Sequence, residues 1–170
     1  MAPMRLHIQK RERGPVLLVS SSGGHLLQLL QLREIWPKQE RYWVTFDRPD
    51  ARSLLAGEIV IGAHYPTNRN LKNLIRNLHL AIQTIRRLKP RAIVTTGAGV
   101  AVPFCLIAKI TGVRVVYIES LTRIHQPSLT GRLVAPLTHD FFVQWPELVA
   151  CYRNAIYEGT VFDLSKPRDA

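Results

Sequence analysis

The chain has 170 residues, with 23 Lys and Arg against 12 Asp and Glu, for a formal charge of +11. Hydrophobic residues make up 46% and charged residues 21%, which fits one soluble globular domain able to bury a core without staples and excludes a disordered or disulfide-framed chain. The basic surplus points to an anionic partner: nucleic acid, an acidic membrane surface or a phosphorylated substrate.

Residues 1–14 read as a basic tail or short edge strand. Val16 to Val19 is a short apolar run stopped by Ser20-Ser21-Ser22-Gly23-Gly24, a buried strand followed by a turn. From His25 the spacing becomes helical through Leu26, Leu29, Leu30 and Ile35, with Leu27, Leu32 and Trp36 on other sides and Pro37 as the stop. Arg41 to Phe46 predicts a second strand. An Asp-Arg-Pro-Asp turn follows, with Asp50 or Ser53 available to start a short helix. Glu58 to Ile61 predicts a third strand and His64 to Arg69 a loop. Leu71 to Leu88 is the clearest helix: Leu71, Leu74, Ile75, Leu78, Ala81, Ile82, Ile85 and Leu88 form one apolar stripe, ended by Pro90. Arg86, Arg87 and Lys89 suit the negative end of its dipole.

Ala92 to Thr95 predicts another buried strand, Thr96-Gly97-Ala98-Gly99 a second glycine turn, and 100–111 a helix. Val113 to Ile118 predicts a strand that delivers Glu119 at its end, and Phe141 to Val143 a last short strand. Strands alternating with helices imply an α/β fold: a Rossmann-like, mostly parallel sheet with flanking helices and right-handed crossovers. The domain is expected over 15–165, with tails at 1–14 and 166–170. Ligands bind such sheets at the carboxyl ends of the strands.

Cys105 and Cys151 make no disulfide framework, and a reducing, cytoplasmic setting fits them best. The first fifteen residues lack the apolar core of a signal peptide. The best apolar run, Val100 to Ile110, is too short for a span and carries Pro103 and Lys109. Membrane contact is therefore expected at the surface. Trp36, Trp43 and Trp145 are scattered and not interleaved with the basic residues, which argues against nucleic acid.

Three strand ends carry candidate chemistry. In Ser21, Ser22, Gly23, Gly24 and His25, the glycines let backbone N–H groups approach a ligand, the helix start favours an anion, and a first-turn imidazole is held neutral. A plain strand-to-helix turn explains the same residues equally well. Neither a P-loop nor a dinucleotide fingerprint is present. Gly97 and Gly99 repeat that logic, or serve a tight turn. Glu119 can orient a sugar hydroxyl or act as a base, and Arg123 and Arg132 can bind phosphate oxygens, or the set forms a surface ion pair. A fourth feature is the basic set Arg69, Lys72, Arg76, Arg86, Arg87, Lys89 and Arg91, with Arg5, Lys10, Arg11 and Arg13, which suits anionic headgroups. The apolar first helix could supply shallow insertion.

The blocks VSSSGGHLLQLLQL, TTGAGVAVPF, VVYIESLTRI, SLTGRL and FFVQWPEL, in that order, resemble the PssD-type subunit of bacterial polysaccharide synthesis. That group is similar to the membrane-recruiting subunit of the eukaryotic enzyme that adds the second GlcNAc to dolichol-linked sugar. Both resemble the N-terminal, acceptor-side half of GT-B glycosyltransferases of the MurG type. The resemblance runs from about Val16 to Phe162. It implies a single GT-B N-terminal-type domain that is half an enzyme. A PssE-like subunit would supply the nucleotide-sugar site, and the acceptor would be a polyprenyl-pyrophosphate-linked sugar at the cytoplasmic face of the inner membrane. It further implies inverting transfer from a UDP-sugar (glucuronic acid, galactose or GlcNAc) without a metal or other cofactor.

Gly23, Gly24 and His25 match the family's glycine-histidine loop, Gly97 and Gly99 its second glycine loop, and Glu119 and Arg123 its Glu-Ser…Arg block. The expected base is His25, alone or aided, with Glu119 competing. The eukaryotic relatives carry an N-terminal span that has no match here. The alternatives are a non-catalytic membrane scaffold that recruits a catalytic partner, and a stand-alone nucleotide-binding protein.

Overall fold

A computed structural model describes residues 14–162. The tails at 1–14, apart from Gly14, and at 166–170 lie outside the described residues, as do Arg5, Lys10, Arg11 and Arg13.

Seven strands form one parallel sheet in the order β3-β2-β1-β4-β5-β6-β7. They are β1 Val16–Val19, β2 Arg41–Phe46, β3 Val60–Ala63, β4 Ala92–Thr95, β5 Arg114–Ile118, β6 Asp140–Val143 and β7 Ala155–Tyr157. The central strands β1 and β4 are buried on both faces, as continuous apolar runs in a parallel sheet require. Val16 pairs with both Arg41 and Ala92, and Val19 with Val44 and Thr95, so the carboxyl ends of β2, β1 and β4 are level.

Among the described residues five α-helices cover the sheet: α1 Gly24–Leu30, α2 Pro49–Leu54, α3 Leu71–Leu88, α4 Ala101–Thr111 and α5 Leu129–Val134. Leu17 and Val19 face α3, α4 and α5 through Ala81, Ile85, Phe104 and Val134. Val16 and Leu18 face α1 and α2 through Leu26, Leu29 and Ala51, with Trp36 from the segment that follows α1. At the amino end of β2, Arg41 pairs with Glu58, which also accepts from Trp43 Nε1 at 2.9 Å.

Several elements differ from the expected ones. The first helix stops at Leu30 and passes into 3₁₀ turns, so Ile35 is exposed and not on a continuous stripe. Its leucines Leu26, Leu29 and Leu30 are in the core, which removes α1 as a membrane-inserting element. The third strand is Val60–Ala63, because Glu58 is held back by Arg41 and Trp43. The short elements α5 and β7 were not foreseen.

Helix α3 has the expected limits. Asn70 caps it, accepting from Asn73 N at 2.9 Å, and Lys89 closes it in a left-handed conformation. Its first half is rotated from the expected face, however. Asn73 and Asn77 are buried, while Leu71, Leu74 and Ile75 are exposed. Asn77 Oδ1 accepts from His64 N at 2.8 Å, and its Nδ2 donates to His64 O at 2.9 Å. Asn73 Nδ2 donates to Pro66 O at 2.9 Å. These bonds satisfy a loop backbone that leucines could not, so the asparagines face the protein.

Candidate functional site

The chain runs outward from β1 one way and from β4 the other, so the switch point of the sheet lies between them. Such a point leaves a crevice at the strand ends. The loops after β1 and β4 meet across it. His25 Nδ1 lies 2.7 Å from Thr96 O, and Thr96 Oγ1 donates to His25 O at 2.7 Å. A carbonyl only accepts, so Nδ1 carries the proton and Nε2 is left as the bare nitrogen. Burial lowers the imidazole pKa, and Arg123 acts the same way. The Thr96 hydrogen bond and Glu119 pull it up. The net lowering keeps the ring neutral and base-competent at pH 7.

His25 lines a cleft of about 1100 Å³ together with Ser21 and Ser22. Its lining includes three cations, Arg48, Arg69 and Arg123. Arg48 sits 4.0 Å from Asp50 and 5.8 Å from the centroid of the Tyr65 ring. Among the described residues Arg69 and Arg123 have no carboxylate partner. The lining also has apolar members: Leu71 and Leu74 of α3, Val102 of α4, and Leu129 and Leu133 of α5. Cations beside a neutral base suit an acceptor that brings phosphate oxygens. The apolar side chains suit a hydrocarbon.

Glu119 lies elsewhere. It is fully buried and does not line the cleft. Oε1 accepts from Ser120 N at 2.9 Å and Tyr117 OH at 3.5 Å. Oε2 accepts from Ser128 N at 3.2 Å, from Ser128 Oγ at 2.9 Å, and from Tyr152 OH. Burial and the bond to Glu119 push the Tyr152 phenol well up, keeping it a donor. Five donors fill both oxygens, leaving none for a substrate hydroxyl. Ser128 is the N-cap of α5, accepting from Gly131 N at 2.8 Å. A side chain on Gly131 would collide with Glu119 and Tyr152, so α5 is seated directly on the carboxyl group.

The glycines also read differently in three dimensions. Gly23 N donates to Asp50 Oδ2 at 2.9 Å and Gly97 N to Thr95 Oγ1 at 3.0 Å, so neither N–H is free for a ligand. Gly97 has φ +100°, and a Cβ there would sit 2.7 Å from Tyr117 OH. Gly99 does line the cleft, and its missing Cβ makes room for Thr67. Gly24 is exposed, and its carbonyl accepts from Gln28 Nε2 at 3.2 Å. Arg132 is exposed on α5 and does not line the cleft; Tyr152 feels its charge. The structure thus gathers Ser21, Ser22, His25, Gly99 and Arg123, and separates Glu119, Gly97 and Arg132 from them.

Two residues went unnoticed in the sequence. Arg48 follows the carboxyl end of β2, and that placement was its only signal. Gln28 is buried three residues after His25. Its Oε1 accepts from Leu121 N and from Gln144 Nε2, both at 2.8 Å, tying α1 to the ends of β5 and β6. No local pattern announces a partner 116 residues away.

A family profile described as oligosaccharide biosynthesis protein Alg14 like matches residues 61–161, more than half of the chain. The chain belongs to the Alg14-like family. The Alg14-like chain is 27% identical over 187 residues to the human UDP-N-acetylglucosamine transferase subunit ALG14, covering 92% of this chain and 87% of that one. It is 30% identical over 187 residues to the subunit of the same name from Eremothecium gossypii, covering 88% and 82%. In fold it resembles Acinetobacter baumannii MurG, with a TM-score of 0.72, 16% identity, and 88% of this chain against 46% of MurG. The seven-stranded sheet with flanking helices is that of the MurG/GT-B N-terminal Rossmann-like domain, and the Alg14-like chain spans about half of the MurG length. Among the described residues no helix is long and apolar enough to cross a membrane.

Proposed function

We propose that this chain is the acceptor-binding, membrane-associated subunit of a two-component inverting glycosyltransferase. The carrying observation is His25, held neutral with Nδ1 on Thr96 O and no partner for Nε2 among the described residues, in a cleft lined by Arg48, Arg69 and Arg123. A polyprenyl-pyrophosphate-linked sugar lies with its pyrophosphate on the arginines and its hydroxyl at His25. That oxygen attacks the anomeric carbon of the donor from the face opposite the leaving group. The new C–O bond forms as the bond to UDP breaks, and the hydroxyl proton passes to Nε2. Glu119 positions α5 and takes no proton.

The donor site belongs to a second, PssE-like chain, a reading supported by the human and Eremothecium relatives, which are named as transferase subunits. The names of the human and Eremothecium relatives favour UDP-GlcNAc as the donor. A PssD-type role in polysaccharide synthesis at the cytoplasmic membrane face is the setting that fits the basic surface. The test is transfer by the co-expressed pair from UDP-GlcNAc onto a lipid-pyrophosphate-linked sugar, alongside calorimetry of the isolated chain. Transfer by the pair and no UDP-sugar binding by the single chain are expected. Full activity of His25→Ala, with the pair intact, would return the protein to a scaffold role.

A further inference from the structure

We propose that the buried amide pair Gln28–Gln144 is a positioning element of the cleft, holding the turn Ser120–Arg123 at a set distance from the helix that carries His25, so that Arg123 and His25 act on one acceptor. This deepens the acceptor reading, and rests on it only for the identity of what is held. Gln144 has no exposure and Gln28 has 4%. Burying two primary amides is costly unless every polar atom finds a partner, and here each does. Gln28 Oε1 accepts from Leu121 N and from Gln144 Nε2, both at 2.8 Å. Gln144 Nε2 also donates to Glu119 O at 2.9 Å, and Gln144 Oε1 accepts from Val161 N at 2.9 Å. Helix α1, the ends of β5 and β6 and the backbone at Val161 thus meet on two side chains. An apolar pair would fill this space without the burial cost, but it would fix neither a spacing nor a direction.

The amides act where the sheet ladder stops. Strand β5 ends at Ile118, and Glu119 N still donates to Phe142 O at 2.8 Å. Past that point side chains hold the backbone: Leu121 N by Gln28, and Leu121 O by Trp145 Nε1 at 2.6 Å. Arg123 N donates to Ser120 O at 2.9 Å, closing the turn that delivers Ser120, Thr122 and Arg123 to the cleft. On α1, Gln28 Nε2 donates to Gly24 O at 3.2 Å, the residue before His25, and to Ser120 Oγ at 3.4 Å. One side chain therefore touches both the backbone that carries the base and the backbone that carries the cation. Its two short bonds fall on Oε1, so Gln28→Glu keeps them and Gln28→Met loses them.

The His25 ring gauges the spacing. Burial lowers its pKa most, the Thr96 bond and Glu119 raise it, and Arg123 lowers it. The experiment is a variant cycle read by NMR titration of His25 in the full chain. Arg123→Gln should raise the His25 pKa in the wild-type background. In Gln28→Met the same change should raise it by roughly half as much or less, and in Gln28→Glu by the wild-type amount. Each rise is a difference within one background, so the charge of the new carboxylate cancels. An equal rise in Gln28→Met overturns the proposal, as does no rise in the wild type. If Gln28→Met does not fold, Gln144→Met takes its place, with a smaller reduction expected and an undiminished rise overturning. In the co-expressed pair, with farnesyl-pyrophosphate-linked GlcNAc as the acceptor probe, Gln28→Met should raise the acceptor KM about tenfold, change kcat less than about threefold and leave the UDP-GlcNAc KM unchanged. Gln28→Glu should restore the acceptor KM. A loss confined to kcat, or no restoration by Gln28→Glu, overturns the proposal. The NMR cycle uses neither donor nor partner, so a wild-type pair without transfer removes the acceptor reading and leaves the cycle to decide the spacing.

Discussion

The ends of β1 and β5 both present a group able to take a proton, and the structure treats them oppositely. After β1, His25 is held from behind by one carbonyl and keeps its other nitrogen for the cleft. After β5, Glu119 is enclosed by Tyr117, Ser120, Ser128 and Tyr152 and spends every lone pair on them. One group is oriented and left unsatisfied; the other is satisfied and used to orient a helix. A base needs the first condition, and a fold needs the second.

The largest effect that sharpens this contrast is at His25. His25→Ala should lower kcat of the assembled enzyme by roughly 10²- to 10⁴-fold, the usual worth of a positioned general base. The Tm should move little, by no more than about the worth of the ring's bond to the Thr96 carbonyl. In the wild type, kcat/KM should rise with pH and level off below about 6.5, since burial lowers the imidazole pKa. The stability sign follows from linkage. Below about 6.5 the unfolded chain takes up a proton that the folded His25 resists, so stability falls with falling pH and is unaffected above that range. His139 is also lowered, by burial with Lys109 and Arg114, and its Nδ1 accepts from Val115 N at 3.1 Å. His25→Ala should therefore remove the acid limb of the rate profile while part of the acid destabilisation persists.

Glu119 should show the reverse signature. Glu119→Ala leaves several buried donors without an acceptor and should cost roughly 2–4 kcal/mol in chemical denaturation. Glu119→Gln keeps the shape but turns an NH₂ group toward donors. About 1–2 kcal/mol of stability should be lost, with less than tenfold in kcat and a larger change in acceptor KM, because α5 lines the cleft. Abolished turnover at full stability and unchanged KM in Glu119→Gln would break the contrast and make the carboxyl group the base.

The sequence showed the strand ends but not which of them were open. Strand identity was legible because β1, β4 and β5 each carry at least three consecutive apolar residues. The limits of α3 were legible because Asn70 and Pro90 bracket an apolar period. Its orientation was not, because Asn73 and Asn77 are claimed by the His64 and Pro66 backbone, a pairing with no local signature. The enclosure of Glu119 depends on Tyr152, which lies 33 residues on, and on the six-residue α5, too short to show a period. The second glycine loop allows either a ligand cradle or a tight turn. Gly97 in fact makes room for the Tyr117 hydroxyl and gives its N–H to Thr95, a use of glycine identical in sequence and opposite in purpose.

The smallest effect tests what orients His25. Two bonds join it to Thr96, one through the Thr96 carbonyl and one from its hydroxyl. Thr96→Val keeps the first and removes the second. The lost bond is worth about 1 kcal/mol, so kcat should fall severalfold. The acid limb of the rate profile should stay in place, because the carbonyl that fixes the Nδ1 proton remains. A shifted limb would mean that the hydroxyl, acting through the α1 backbone, governs the exposure of the ring. His25 would then owe its neutrality to the seating of the loop, and the β1 end would prove to be as built as the β5 end.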